Sequence, residues 1–317
     1  MRFIRTAFLA TTILSAGGSL AQANVKVVTS IKPVHSLVSA VMAGVGEPSL
    51  LVKGAGSPHT YALKPSQAQL LQDAELVFWM SHDLEAFLEN SIESIATNAK
   101  SVPLMEAHGL TKLAFREGGA FDSHDHDDHD EHGHEDHDDH DEHAHHGEGP
   151  HVWLDPVNAK AMVHEIEEAL VEADPSNAAA YEANAEALMS RLDDLVAEID
   201  AELEPVKGRG YVVFHDAYQY FEARFGVSAV GSITVSPEVL PGAERVAALQ
   251  DKVRGLGATC VFSEPQFEPK LVATVTENTN AGTGVLDPLG TSIDDGPDLY
   301  FTLIRNMAAS LKGCLLK

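Results

Sequence analysis

"SNAAAYEANAEALMSRLDDLVAEIDAELE" spans residues 176–204 and holds 29 residues without a Pro or a Gly. Its Leu188, Leu192, Leu195, Ile199 and Leu203 recur at steps of three and four, which puts apolar side chains on one face of an α-helix. At 1.5 Å per residue such a helix is about 43 Å long, well beyond the usual three turns. Asp174-Pro175 supplies a start signal, and Pro205 and Gly208 supply a stop. A helix of this length reads as a beam joining two halves of the chain.

Both halves alternate strand and helix. Before the beam, "VKVVTS" (25–30), "SLLVK" (49–53) and "AELVFWM" (74–80) read as strands. Helical patterns run from Pro33 through Val41, from Pro65 to near Asp73, and over 83–95. Asp155 then serves as an N-cap with Pro156 at the first helical position, opening a helix to about Glu172. After the beam, "YVVFH" (211–215), "SAVGS" (228–232), "TCVFSE" (259–264) and "GTGVLD" (282–287) read as strands. Between and after them lie helical stretches at "DAYQYFEARF", at 242–255, near 268–279 and from about Asp298 to Lys312. This alternation predicts parallel sheets covered by helices on both faces. The fold class is therefore α/β, two βα lobes joined by one long helix. Residues 24–173 form the N-terminal lobe, 174–204 the linking helix and 205–317 the C-terminal lobe.

Residues 1–23 read as an export signal. Arg2 and Arg5 precede the apolar "TAFLATTILSAGGSLA", and Ala21-Gln22-Ala23 fits a small-x-small cleavage site. A retained membrane anchor is the rival reading; the apolar stretch is short for it and contains Gly17 and Gly18. The formal charge of −27 argues against nucleic acid and anionic membrane surfaces as partners and suits a protein that handles cations. Two cysteines, Cys260 and Cys314, remain in an exported chain. A disulfide is the expected state, with a pair of buried thiols as the alternative; a thiolate metal site would show closer Cys pairs.

Much of the acidity sits in "HDHDDHDEHGHEDHDDHDEHAHH", residues 124–146, with eleven acidic residues among ten histidines: His124, His126, His129, His132, His134, His137, His140, His143, His145 and His146. It has no apolar period and is bounded by Gly118-Gly119 and by Gly147, Gly149 and Pro150, so 122–149 reads as a loop disordered without metal. Seven histidines lie elsewhere, and three sit at revealing places. His59 lies in the loop after the second strand, His151 just before a helix N-cap, and His215 at the end of a strand. Asp287 ends another strand, in "VLDPLG". Ligands of open α/β sheets gather at the carboxyl ends of strands. Three His with an oxygen as the fourth donor suit tetrahedral zinc. A lone histidine at such a place is more often a loop or capping residue than a ligand, and spacing does not show that the three converge.

At this point "GAGSPHTYALKPSQAQLLQDAELVFWM", "HVWLDP", "VFHDAYQYFEARFGV", "FSEPQF" and "DPLG" together resemble the ZnuA-type zinc-binding proteins of ABC importers, within the TroA-like metal-binding family. The acidic His-rich insert before "HVWLDP" is similar too, and the likeness covers essentially the whole mature chain. It implies two lobes held by a rigid helix with the metal in the cleft between them. It also implies a monomeric periplasmic protein that captures Zn²⁺ and delivers it to a membrane permease, without enzymatic activity. On matching positions His59, His151 and His215 would be metal ligands, and Asp287 matches the place where manganese-binding relatives supply a carboxylate. The Cys260–Cys314 pair matches the family's disulfide.

The chain departs from the family pattern in two places. Pro58 stands where some members have Glu, which leaves water or Asp287 for the fourth position. His82 stands where members often have Pro, as an access ligand at the cleft rim or as an exposed loop residue. Manganese-type relatives are expected to carry a carboxylate at the third position, whereas this chain has His215. Three imidazoles favour Zn²⁺ over Mn²⁺, although Cu²⁺ and Ni²⁺ also bind such a set well. The His/acid run reads as an auxiliary collector beside this site, or as a solvated acidic spacer. Rival functions are an adhesin or zinc buffer on the same fold, and a zinc hydrolase using Asp216 or Glu264 as a base. Glu264 is expected instead to fix a loop or a ligand.

Overall fold

The structure, a computed structural model, describes residues 25–116, 121, 147–234, 243–255, 260–268 and 270–317. The export signal and the ten histidines of the run lie outside the described residues.

The N-terminal lobe builds a parallel sheet from β1 (Val27–Thr29), β2 (Ser49–Leu50), β3 (Leu76–Trp79) and β4 (Lys100–Pro103), in the order β2-β1-β3-β4. Helices α1 (Lys32–Val41), α2 (Pro65–Gln72), α3 (Ala86–Ile95) and α4 (Pro156–Ala173) cover it. β3 is buried along its whole length, as expected for an apolar run in a sheet with helices on both faces. β2 is shorter than "SLLVK", yet Leu51 N and Val52 N still donate to Thr29 O and Ser30 O (2.9 and 2.8 Å). β4 has no counterpart in the sequence reading. Only Val102 of its four residues is buried, so it lacks the apolar run that marks an inner strand.

The C-terminal lobe repeats this plan. β5 (Tyr211–His215), β6 (Ala229–Thr234), β7 (Cys260–Ser263) and β8 (Gly282–Val285) form a parallel sheet in the order β6-β5-β7-β8. Its helices are α6 (Gln219–Phe225), α7 (Ala243–Gly255), α8 (Lys270–Thr276) and α9 (Leu299–Leu315). The Cys260–Cys314 disulfide ties β7 to α9. In each sheet the chain reverses its direction of travel after the second strand, so a crevice opens at the carboxyl ends of β1 and β3, and of β5 and β7.

The linking helix is α5 (Ala178–Leu203), 26 residues and about 39 Å. It starts two residues later than the periodicity predicts. The Asp174 carboxylate gathers Ser176 Oγ, Asn177 Nδ2 and Tyr181 OH (2.5, 2.7 and 3.0 Å), holding Pro175–Asn177 as a separate 3-10 turn. Tyr181, Ala185, Leu188, Leu192, Leu195, Ile199 and Leu203 form its buried face, packed against α1, α4 and α9. These side chains belong to one apolar cluster that also includes Val38 and Trp153 from the first lobe and Phe221 and Ile304 from the second. The lobes thus share a core, and hinging them apart would expose it.

Candidate metal centre

Each of the three histidines is placed by its own local device. His59 sits in a 3-10 turn, Pro58–Thr60, in the loop after β2. Gln67 Nε2 pins that loop by donating to Leu51 O and Tyr61 OH (2.5 and 2.8 Å). His151 precedes the turn Val152–Leu154, and Asp155 then caps α4 by accepting from Val157 N (2.8 Å). Trp153, two residues on, donates from Nε1 to Pro288 O of the other lobe (2.9 Å). His215 is the last residue of β5, and Glu264 follows β7 directly, so the two meet at the crevice of the second sheet. His215 Nδ1 lies 2.7 Å from Glu264 Oε1. A carboxylate only accepts, so Nδ1 is the nitrogen that donates and Nε2 is the one left to face an ion.

The fold brings these three side chains together from both lobes. One nitrogen from each of His59, His151 and His215 lies within 4.8 Å of the other two. The ring centroids are 5.2–5.7 Å apart. His151 Nε2 and His215 Nε2 are 3.4 Å apart. Two donors bonded to one tetrahedral zinc at about 2.05 Å are separated by about 3.3 Å, so this pair already spans one edge of the coordination sphere. His151 and His215 are buried, and His59 is partly buried. Burial, and then the neighbouring His215, push the His59 imidazole down to about 3. Burial, then His215 and His59, hold His151 well below the usual imidazole range. Both are therefore neutral near pH 7 and have no proton to shed before binding a cation. The cavity that the three share has a volume of about 10 Å³, close to one water molecule.

The other expected residues lie differently. Asp287 is not one of the grouped metal-capable side chains. It ties the turn after β8, with Oδ1 accepting from Leu289 N and Gly290 N (3.1 and 3.0 Å) and Oδ2 from Thr291 N (2.5 Å). These amides of the Asp-Pro turn occupy both carboxylate oxygens. His82 is exposed and paired with Glu89 at 2.7 Å. Asp216, beside His215, is held by the Arg116 guanidinium, which also bonds Glu222 (2.6 Å).

Gly147–Gly149, assigned by sequence to the end of the loop, instead pair with the chain before it. Phe115 N donates to Gly147 O (3.0 Å) and Gly149 N to Leu113 O (2.9 Å). A Cβ on Gly149 would lie 2.1 Å from Gln219 Nε2, so no larger residue fits without a shift. Tyr220 OH donates to Gly149 O (2.7 Å). These contacts, with the Arg116 cluster, fasten the base of the His/acid run to the second lobe. Sequence reasoning missed the Arg116–Asp216–Glu222 cluster because Arg116 is a hundred or more positions from its two partners and no motif joins them.

Two α/β lobes of matching topology, a shared helical core and a cavity sized for an ion are the marks of a two-lobed solute-binding protein with a small inorganic ligand. Residues 27–314 match the family ZnuA, described as zinc-uptake complex component A, periplasmic. The high-affinity zinc uptake system protein ZnuA of Brucella suis biovar 1 (strain 1330) is 57% identical over an alignment of 334 positions, covering 100% of both chains. The protein of that name from Yersinia pestis is 38% identical, covering 99% of this chain and 98% of its own. A solved structure described as the crystal structure of ZnuA superposes with a TM-score of 0.74 at 25% identity, covering 92% of this chain and 99% of that chain. The chain belongs to the ZnuA family of periplasmic zinc-uptake components. Among the described residues no helix is long and apolar enough to cross a membrane.

Proposed function

We propose that this chain binds one Zn²⁺ through His59, His151 and His215, and carries it in the periplasm to the membrane permease of an ABC importer. The convergence of the three imidazoles, drawn from both lobes to within 4.8 Å, is the observation that carries the reading. The donor set fits the ion: three neutral nitrogens favour Zn²⁺ over Mn²⁺. Membership in a family of zinc-uptake components supplies the physiological direction.

The surroundings of the site support carriage rather than catalysis. The two acids that could serve as a general base are both engaged, Asp216 by Arg116 and Glu264 by His215. The protein acts as a monomer, cleaved after Ala23. His124, His126, His129, His132, His134, His137, His140, His143, His145 and His146 collect zinc in shallow sites beside the cleft, close to His151 in sequence.

Competition titration against a chromophoric chelator tests the assignment. His215→Ala is expected to abolish tight zinc binding while leaving a folded protein. Full affinity in that variant would overturn the site. Growth of a deletion strain in chelated medium, restored by zinc, tests the importer role.

A further inference from the structure

The cavity beside the three histidines is also lined by Ser57 from the first lobe and by Gln266 from the second. Gln266 Nε2 lies 2.9 Å from Asp287 Oδ1 and 2.9 Å from Thr291 Oγ1. A carboxylate has no hydrogen to give, so the amide nitrogen must face Asp287 and the amide oxygen must point the other way. That oxygen, Gln266 Oε1, is buried and has no hydrogen-bond partner in the protein. Ser57 Oγ is in the same condition. Buried polar atoms are rarely left unmatched, so two of them lining one cavity point to a common partner. A further buried oxygen on the wall, Glu264 Oε2, belongs to a carboxylate whose other oxygen is bound to His215.

We propose that Gln266 and Ser57 together hold the water molecule that fills the fourth coordination position of the metal, and that Asp287 orients Gln266 instead of ligating. The inference rests on the three-histidine site proposed above. A water bound to a cation through one lone pair has two hydrogens left to donate. One goes to Gln266 Oε1 and the other to Ser57 Oγ, so the water bridges the lobes on the side that the imidazoles leave open. Asp287 is the fixed point of this arrangement. Three backbone amides hold its carboxylate, and its Oδ1 in turn fixes the amide of Gln266. Gln266 also favours water over hydroxide, because its Oε1 only accepts and a bound water is the stronger donor; the Ser57 hydroxyl can accept or donate and does not distinguish the two. Gln266 is thus a positioning residue for the bound ion.

Cobalt(II) substituted for zinc reports both coordination number and ionisation of the bound water through its visible absorption. Gln266→Leu is expected to keep the four-coordinate bands, bind cobalt about tenfold more weakly, and show the pH transition of its bands at lower pH than the wild type. Ser57→Ala removes only a hydroxyl that bonds nothing in the protein, so it cannot fail through a lost internal bond. It is expected to weaken cobalt binding several-fold, less than the loss of Gln266. Wild-type affinity in both variants, with an unmoved pH transition in Gln266→Leu, would overturn the proposal. A wild-type protein that gives no four-coordinate bands would sink the three-histidine site itself, so the two failures are distinguishable.

Discussion

Replacing Glu264 tests how far the metal centre depends on a residue that need not touch the metal. Its Oε1 accepts from His215 Nδ1 at 2.7 Å and faces the His215 backbone N at 3.4 Å. The carboxylate thereby fixes which nitrogen of His215 is bare and holds the ring plane. Glu264→Gln keeps an acceptor in place but removes the charge, and a charge-assisted bond is roughly twice as strong as a neutral one. Zinc affinity should fall about tenfold, or ~1.4 kcal/mol. Glu264→Leu removes the acceptor altogether, leaving Nδ1–H unpaired and the ring free to turn. The loss should approach ~100-fold, about 2.7 kcal/mol. The apo protein should also lose about 1–3 kcal/mol, because a buried donor is left without a partner. Competition titration at fixed pH gives the affinities, and denaturant unfolding of the metal-free protein gives the stability. If Glu264→Leu unfolds more easily yet binds zinc as the wild type does, the residue only shapes a loop and the reasoning fails.

Proton release offers an independent check on His59 and His151. At pH 6 three ordinary imidazoles would be about three-quarters protonated and would shed ~2.3 protons on binding zinc. Since burial keeps His59 near 3 and His151 well below its ordinary value, no more than about one proton should appear; calorimetry in buffers of different ionisation enthalpy measures the number, and a value near two would contradict the burial argument. In metal-free protein the same shift has a stability consequence. A histidine whose pKa is lowered by folding binds its proton more readily when unfolded, so stability should decline as pH falls from about 6.5 toward 3, by about 2 kcal/mol at pH 5 for His59 alone. His59→Gln should flatten that decline in urea unfolding curves. Deleting residues 123–146 should lower the zinc bound per chain while one tight site survives; loss of the tight site would refute the division between collector and centre. Leu192→Ala, in the middle of α5 and fully buried, should cost about 2–5 kcal/mol in one calorimetric transition for both lobes. Separate melting of the lobes would show that the shared core does not couple them.

Much of this architecture was legible because local rules and tertiary packing agree. The "YVVFH" strand matches β5 residue for residue, and Asp155-Pro156 opens α4 where capping chemistry says it should. α5 is long because nothing in 178–203 breaks it and one face is apolar throughout. β4 was not legible, since two of its four side chains are exposed and its place is set by pairing with β3. The three histidines stand out in the sequence one by one, but their arrangement does not. His151 and His215 are 64 positions apart and come from different lobes, so no spacing in the sequence shows their approach. Asp287 shows the limit most clearly: the sequence places a carboxylate at a strand end, but not the three backbone amides that bond it. Gln266 and Ser57 carried no signal, because an amide and a hydroxyl become informative only when their hydrogen bonds can be counted.

The ligand spacing is held from outside the centre, and that bears on which metals the site accepts. Arg224 grips Asp155 through two bonds of 2.7 Å, four residues beyond His151. Tyr300 OH donates to Trp153 O (2.6 Å), and Lys32 Nζ crosses to Ile293 O (2.6 Å). With the Arg116–Asp216 pair beside His215, bonds between the lobes flank two of the three histidines. Softness alone would let Cu²⁺ outcompete Zn²⁺ here. Geometry opposes it. Adjacent donors of a tetragonal copper site at about 2.0 Å stand ~2.8 Å apart, whereas His151 Nε2 and His215 Nε2 stand 3.4 Å apart. To reach its preferred shape copper would have to draw together two side chains that separate lobes hold in place. The copper-loaded protein should therefore give an electron paramagnetic resonance spectrum distorted from the tetragonal pattern of free copper–imidazole complexes. Arg224→Gln, by loosening the grip on Asp155, should shift that spectrum toward the tetragonal pattern and raise the preference for copper over zinc. A tetragonal spectrum in the wild type would mean that the lobes yield to the ion, and that rigidity plays no part in the choice of metal.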